Sequence, residues 1–187
     1  MSVFEKMRST LGTYSDTDVR SLLHEDHEKI RTLAKELAET DSAARRKSIV
    51  RELKPFLTVH SRSEEAAVYT PLMELKSSPD SRLAGNEGFV EHNLADIVME
   101  RLAATADASS DMWRAHAKVI HDLLEHHIKE EESELFEELG EHFTDEEREA
   151  MGARFVAGKV KVAKKAAASA SASRNGGARK RAAATPA

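Results

Sequence analysis

The sequence predicts an all-α protein: an antiparallel, up-down-up-down four-helix bundle followed by a short C-terminal helix and a disordered basic tail. Three observations lead to this prediction. Four long segments carry apolar residues three and four positions apart, which is the repeat of one helix face. Only 5% of the 187 residues are aromatic, with 8 Gly and 4 Pro. Short connections between long helices favour antiparallel neighbours.

The first predicted helix runs from about Thr17 to Glu39, with Asp16 or Thr17 as its N-cap. Its apolar stripe contains one histidine, His27, whereas His24 lies on a polar row. The sequence therefore predicts that His27, and not His24, points into the bundle. The stripe consists of Val19, Leu23, His27, Ile30, Ala34 and Leu37.

The second predicted helix runs from about Ser42 to Leu75, with a kink or break expected at Pro55. The third runs from about Ser81 to Ala106, with irregularity expected at Gly85 and Gly88. Both stripes again include histidine. They consist of Ile49, Leu53, Phe56, His60, Glu64 and Ala67 in the second helix, and of His92, Ala95, Met99 and Leu102 in the third.

The fourth predicted helix runs from about Ser109 to Leu139, and a shorter one from about Asp145 to Ala157 follows the cap residue Thr144. The stripe of the fourth helix places His127 and Glu131 among apolar residues. It consists of Trp113, Ala117, Ile120, Leu124, His127, Glu131 and Leu135. Each of the four bundle helices therefore has a histidine on its inward face.

Two of these helices carry the same H-x-x-x-E pattern, at His60–Glu64 and at His127–Glu131. Residues four apart share one helix face, so each pattern projects an imidazole and a carboxylate in the same direction. Unpaired buried carboxylates are costly, so two of them on facing apolar stripes require a cation. Imidazole with bridging carboxylate suits a pair of iron or manganese ions.

These motifs resemble those of hemerythrin-like proteins of the HHE cation-binding family, over about residues 16–140. The match includes Asp26-His27 in the first helix, Glu91-His92 in the third, and the two H-x-x-x-E motifs. Glu132, Leu135 and Phe136 continue the match in the fourth helix. Val68-Tyr69-Thr70-Pro71 is similar to the family's "-lyP-" segment, with Thr70 as an extra residue.

The resemblance implies a left-handed bundle around two iron ions joined by an oxo or hydroxo bridge, with manganese or zinc as alternative metals. It implies that Glu64 and Glu131 bridge the ions and that histidines complete the site. The implied metal ligands are His27, His60, Glu64, His92, His127 and Glu131.

The chain also departs from the oxygen-carrying hemerythrins. Their third helix has a second histidine one turn from the first, where this chain has Gly88 and Asp96 around His92. Their fourth-helix carboxylate is an Asp five residues after the histidine, whereas Glu131 comes four after His127. The chain resembles the six-ligand bacterial relatives more closely. One ion then has room for water, peroxide or an extra carboxylate such as Glu91 or Asp96.

Several competing interpretations remain at this stage. His126 and Glu130 form a second H-x-x-x-E pattern, one residue out of register, which competes with the fourth-helix assignment. Tyr69 either supports the site or packs, and packing is the simpler expectation. The ferritin-like E-x-x-H and the H-E-x-x-H motifs are absent. The remaining histidines are not expected to be ligands: His116, His121, His126 and His142.

A small-molecule function follows from the resemblance, but its class stays open. One hypothesis is an enzyme-like, protective role in which the site binds or reacts with oxygen, peroxide or nitric oxide under oxidative or nitrosative stress. The alternative is iron storage, or sensing of iron or oxygen without turnover. Whether the protein is an enzyme is undecided by the sequence.

Composition limits the remaining classes. The chain has no Cys, which excludes disulfides, thiolate zinc sites and iron–sulfur clusters. No apolar run is long enough to cross a membrane, and residues 1–20 lack the apolar centre of a signal peptide. A cytoplasmic protein is therefore expected.

Charge divides the chain. Residues 150–187 contain nine Lys or Arg and no acidic residue, whereas the preceding 149 residues contain 19 basic and 33 acidic ones. Four segments are predicted: an N-terminal segment (1–15), the bundle (16–140), a short helix (141–158) and a disordered Ala/Lys/Arg-rich tail (159–187). Such a tail can bind DNA phosphates weakly and without sequence preference, or it can simply keep the protein soluble.

Overall fold

A computed structural model describes residues 15–182, with side chains described as far as residue 169. The described residues form helices and the segments that connect them, without strands, which confirms the predicted fold class. α1 is Val19–Glu39, α3 is Pro79–Ala104 and α5 is Asp145–Ala182. α2 consists of Ala43–Glu64, Glu65–Tyr69 and Thr70–Glu74, and α4 of Asp111–Glu130, Glu131–Leu135 and Phe136–His142. No helix in this range is long and apolar enough to cross a membrane.

Side-chain caps set where the bundle helices begin. Asp18 caps α1 by accepting a hydrogen bond from the Arg20 backbone N–H, one or two residues later than the caps expected from sequence. Serine hydroxyls accept backbone N–H bonds in the same way at the next three starts, at Ser42, Ser78 and Ser110. Each cap satisfies a donor that the first helical turn leaves free.

Both H-x-x-x-E helices contain one π-helical turn: the first begins directly after the motif glutamate Glu64, and the second begins at the motif glutamate Glu131. The turns are Glu65–Tyr69 and Glu131–Leu135. Such turns insert an extra residue into the helix and are frequent at functional sites. The helix does not break at Pro55, because Ala43–Glu64 continues through that residue as one α-helical segment. The irregularity of α2 therefore lies next to the motif.

Two apolar clusters fill the bundle, one on each side of the histidine level. The lower cluster includes Ile30 and Leu37 of α1 and Trp113 of α4. The upper cluster includes Val19 and Leu23 of α1. Along α1 and α3 the upper cluster comes first, whereas along α2 and α4 the lower cluster comes first. This alternation shows that successive helices run in opposite directions.

α5 is longer than the sequence predicted. The sequence predicted a short helix ending near residue 158, whereas the bounds of α5 extend through Gly158 to Ala182. Ala, Lys and Arg are strong helix formers, and that preference outweighs the lack of an apolar stripe. α5 also packs on α2 and α1. At Gly158 an added Cβ would lie 3.1 Å from the Ser63 Cβ.

Gly85 and Gly88 were expected to disturb the third helix, and that expectation is wrong as well. α3 passes through both without interruption. A Cβ on Gly88 would lie 2.4 Å from the Tyr69 Cζ atom, so the glycine leaves room for that ring. Gly88 therefore permits the close approach of α2 and α3 next to the histidines.

Candidate metal centre

The six residues predicted as metal ligands meet in the middle of the bundle. Each helix contributes a histidine at the level between the upper and lower clusters, and α2 and α4 add the glutamates. None of the six is more than 5% exposed. They are His27, His60, Glu64, His92, His127 and Glu131.

Each glutamate connects two histidines that come from different helices. The Glu64 Oε2 atom lies 3.2 Å from His60 Nε2 and 3.6 Å from His92 Nε2. The Glu131 Oε2 atom lies 3.2 Å from His27 Nε2 and 3.4 Å from His127 Nε2. This arrangement is suited to two ions with the glutamates between them.

The ligand atoms fall into two groups that share one carboxylate. His27, His60 and Glu64 offer atoms that all lie within 4.8 Å of one another, and Glu64, His92 and His127 do the same. We name these the covered half (His27 and His60) and the open half (His92 and His127). Ligand atoms about 2.1 Å from a common ion lie on the order of 3 Å apart, as the observed separations do.

Several polar atoms of this centre are buried without a hydrogen bond. They include His27 Nε2, both carboxylate oxygens of Glu64 and the Glu131 Oε2 atom. Burial of polar atoms without partners is costly. Cation binding would satisfy all of them at once, so the residues present fit a metal centre.

The outer nitrogen of every histidine faces a carboxylate from another helix. His60 Nδ1 lies 3.2 Å from Asp26 Oδ2, and His27 Nδ1 lies 3.1 Å from Glu132 Oε1. In metal sites such a carboxylate fixes the tautomer and the orientation of the ring, which leaves Nε2 free to bind the ion.

The open half has the same arrangement. His92 Nδ1 lies 3.3 Å from Glu65 Oε1, and His127 Nδ1 lies 2.7 Å from Glu91 Oε2. All four carboxylates immediately precede or follow one of the six central residues in sequence, at Asp26, Glu65, Glu91 and Glu132. That adjacency was visible in the sequence, but the partner of each carboxylate was not.

Tyr69 belongs to the centre, which sequence reasoning did not expect. Its hydroxyl donates a hydrogen bond to Glu131 Oε1 and lies 3.5 Å from His92 Nε2. The side chain is fully buried, and burial together with the charges of Glu131 and Glu64 raises its pKa well above the usual range. Tyr69 therefore keeps its proton and holds Glu131 in place.

Burial and nearby charges shift the pKa values of two neighbouring histidines, His60 and His92, in opposite directions in the metal-free protein. Burial alone lowers the pKa of His60, but the Glu64 charge and the Asp26 hydrogen bond outweigh it and raise that pKa to about 10. Burial, and then the nearby His127, lower the pKa of His92 to about 3. A bound cation would displace the proton from His60, so metal binding is expected to release protons.

The competing sequence patterns have clear positions in the structure. The side chain of His126 is 59% exposed and lies 3.2 Å from Glu130, and that of His24 is 29% exposed. Thus His127 and His27 are the inward residues, as the stripes predicted. Glu91 contacts His127, whereas Asp96 lies away from the centre and pairs with Arg62. His121 and His142 also lie outside the centre.

Comparison with known proteins agrees with this geometry. The model of the hemerythrin HHE cation binding domain matches residues 18–139. A DNA nickase of Nostoc sp. (strain PCC 7120 / SAG 25.82 / UTEX 2576) is 21% identical over 147 residues. The match covers 79% of this chain and 40% of the nickase, so the chain spans less than half of that relative. No solved structure matches. Four helices with buried histidines and glutamates, and a family match over most of the bundle, show that the chain belongs to the hemerythrin HHE cation-binding domain family.

Proposed function

We propose that the chain binds two iron ions at the six central residues and reacts there with oxygen, peroxide or nitric oxide. The observation that carries the proposal is that each of the two glutamates approaches one histidine from each half. When bound, a di-iron centre supplies redox chemistry and an open position for a small ligand. The same histidine and carboxylate donors could also bind manganese or zinc, but they are less specific for those metals.

The protein's own residues would orient the centre and control protons. Asp26, Glu132, Glu65 and Glu91 hold the histidine rings through their Nδ1 atoms. Tyr69 donates to Glu131, and its hydroxyl oxygen lies 3.5 Å from His92 Nε2. The hydroxyl therefore holds Glu131 in place beside the open half.

Metal analysis combined with an optical spectrum tests the proposal. The purified protein reconstituted with Fe²⁺ and exposed to air is expected to hold two iron ions per chain and to absorb in the near ultraviolet. A content that stays near one ion after full reconstitution would contradict a dinuclear centre. Zinc in place of iron would give no such absorption.

Storage or sensing without turnover is the alternative within the same family. Peroxide consumption by the iron form separates the two. Repeated turnover at a constant rate supports the reactive role. A single stoichiometric oxidation followed by inactivity supports storage or sensing, in which metal binding acts through the stability of the bundle.

A second candidate function is weak, nonspecific DNA binding through the basic end of the chain. Residues 150–187 carry nine positive charges and no negative one. Three of them, Lys161, Lys164 and Lys165, are exposed on α5. The relative from Nostoc is named a DNA nickase, which favours testing DNA as a partner and a substrate.

Two assays test the DNA hypothesis. Binding to a duplex of arbitrary sequence should fall steeply with salt, because neutralised phosphates release their counterions. A Lys161→Gln/Lys164→Gln/Lys165→Gln variant should bind more weakly than the wild type. Incubation of the iron form with supercoiled plasmid then shows whether the chain converts it to nicked circles. Absence of binding at about 50 mM salt, where the electrostatic attraction is strong, would eliminate the hypothesis.

A further inference from the structure

A small cavity between α3 and α4 is lined by Tyr69 and Glu131, which contact the histidines of the open half. Its volume is about 40 Å³, and we name it the α3–α4 opening. The buried side chains of Tyr69 and Glu131 line its inner end, and the exposed Glu87 and Glu134 line its outer part. The opening therefore leads from solvent to a carboxylate of the centre.

The charge of this opening is uniformly negative. Five glutamates line it and no Lys or Arg does so, within the part of the chain that the structure describes. They are Glu87, Glu91, Glu130, Glu131 and Glu134. A cleft lined by charges of one sign concentrates counter-ions and raises their association rate. The opening is therefore expected to attract cations.

One group next to the opening has the composition of a metal site, and two of its three residues, Glu91 and Glu130, line the opening. Glu91, His126 and Glu130 offer ligand atoms within 4.8 Å of one another. His126 Nε2 lies 3.2 Å from Glu130 Oε1 and 3.9 Å from Glu91 Oε1. These residues include the out-of-register H-x-x-x-E pattern, for which the central site has no use.

Two further observations connect this outer group to the centre. Glu91 uses its other oxygen, Oε2, to contact His127 Nδ1 at 2.7 Å. The Glu131 side chain is only 6% exposed, lines the opening and leaves its Oε2 atom without a hydrogen bond. An ion leaving the outer group would therefore next meet the Glu131 carboxylate, one oxygen of which has no hydrogen bond.

The covered half has different surroundings in the part of the chain that the structure describes. Phe136 stacks on His27 with ring centroids 6.4 Å apart, and the Phe155 ring lies 5.9 Å from His60. The two carboxylates that contact these histidines are each paired with a cation: Lys159 contacts Asp26 and Arg31 contacts Glu132. Apolar rings and positive charges both disfavour entry of a metal ion from that side.

We propose that the α3–α4 opening is the route by which divalent metal ions reach the centre, with Glu91, His126 and Glu130 as the group that first binds them. This inference rests on the proposed metal-binding function and assigns a role to residues outside the six ligands. Exposed carboxylate and imidazole groups bind such ions through only a few ligands, so the ion is held briefly and passed inward.

The test compares two matched double variants of the full metal-free chain. His126→Ala/Glu130→Gln removes two of the three outer ligands. His142→Ala/Glu141→Gln is the control, because Glu138, Glu141 and His142 form a similar surface group that does not line the opening. The probe is Co²⁺, whose visible absorption develops as it enters a histidine and carboxylate site. The increase in absorption after rapid mixing of protein and Co²⁺ gives the rate of uptake.

The His126→Ala/Glu130→Gln variant, which we name the route variant, is expected to take up Co²⁺ roughly tenfold more slowly than the wild type. A factor of about ten is the lower end of the effect that a charged cleft has on association rates. Its final content should remain two ions per chain, and the control should match the wild type. Glu134→Lys, which reverses one charge at the outer part, should also slow uptake, and added salt should reduce that deficit.

Three outcomes would overturn the inference. Wild-type uptake rates in the route variant would place the entry elsewhere. A lower final content in that variant would make His126 or Glu130 a permanent ligand. Failure of the wild type itself to bind Co²⁺ would overturn the proposed function, and the route with it, so the two failures are distinguishable.

Discussion

The covered and open halves of the centre use the same ligand types in different surroundings. In the covered half, α5 and the end of α4 place Phe155 and Phe136 against the histidines, and Lys159 holds Asp26. In the open half, His92 and His127 lie 3.1 Å apart through their Nε2 atoms, with Tyr69 and the α3–α4 opening beside them. Packing covers one side, while the α3–α4 opening lies beside the other.

The two halves therefore have the same kinds of ligand but different surroundings, and equal ligands do not imply equal roles. The four bundle helices alone would leave both halves similar, since each supplies an imidazole at the same level. α5 breaks that equivalence by covering one face. We therefore expect the covered half to hold its ion more firmly and the open half to receive ions and small ligands.

The largest expected effect is the loss of one ion when one half loses a histidine. His60→Ala should leave the open half loaded and His127→Ala the covered half, so each variant should hold one ion and lose the dinuclear spectrum. His24→Ala and His126→Ala are the controls, since both residues lie outside the six, and should keep two ions at equilibrium. Loss of both ions from either single variant would show that the halves are not separable.

Removal of the metal should produce the next largest effect. Ligands from all four bundle helices make the metal bind the folded state preferentially. An ion at about 100 times its dissociation constant contributes roughly 2.7 kcal/mol to the free energy of unfolding. The chelated protein should therefore melt at a lower temperature than the loaded one in calorimetry. Equal melting temperatures would argue against a centre that joins the helices.

The stability of the metal-free protein should depend on pH in opposite directions for the two neighbours His60 and His92. The folded pKa of His60 is raised to about 10, so its stabilising contribution is complete below about 6.5 and is lost as pH rises towards 10. The folded pKa of His92 is lowered to about 3, so its contribution is present above about 6.5 and is lost as pH falls towards 3.

Denaturant unfolding of the metal-free chain between pH 4 and pH 10 measures both slopes. Stability should be highest near the ordinary histidine pKa of about 6.5. His60→Gln should weaken the alkaline slope, and His92→Gln the acidic one. A stability that rises steadily to pH 10 would contradict the protonated state of His60.

A smaller effect is expected from Tyr69→Phe in the open half. The variant keeps the ring that packs against Gly88 and removes only the hydroxyl that donates to Glu131. Leaving a buried acceptor without its donor costs about 1–3 kcal/mol of unfolding free energy. The spectrum of the iron form should shift as well. An unchanged spectrum and stability would return Tyr69 to a packing role.

The smallest effect is expected from Lys159→Met in the covered half. The Lys159 side chain is 31% exposed and contacts both oxygens of Asp26 at 2.7 Å. Partly exposed ion pairs contribute on the order of 0.2–1 kcal/mol, and the Met side chain retains much of the packing. Lys161→Met on the exposed side of α5 is the control. Equal effects would show that the Asp26 contact contributes nothing specific.

The inward positions of all six central residues were predictable because helical periodicity is local. Steps of three and four residues around His27, His60, His92 and His127 decide which side of each helix faces the core, whatever the other helices do. The same reasoning separated His127 from His126 and His27 from His24. The predicted cap placed the start of α1 within one or two residues of its position in the structure. The short connections predicted that successive helices run in opposite directions.

Only the tertiary structure decided how these faces meet. The pairing of each Nδ1 with a carboxylate from another helix depends on contacts between residues such as Asp26 and His60, which no local pattern specifies. The sequence left Tyr69 either to support the site or to pack, and only the structure shows that its hydroxyl, at the end of a π-helical turn, contacts Glu131. α5 lacks a continuous apolar stripe, so its length and its position over the covered half followed from helix propensity and packing together.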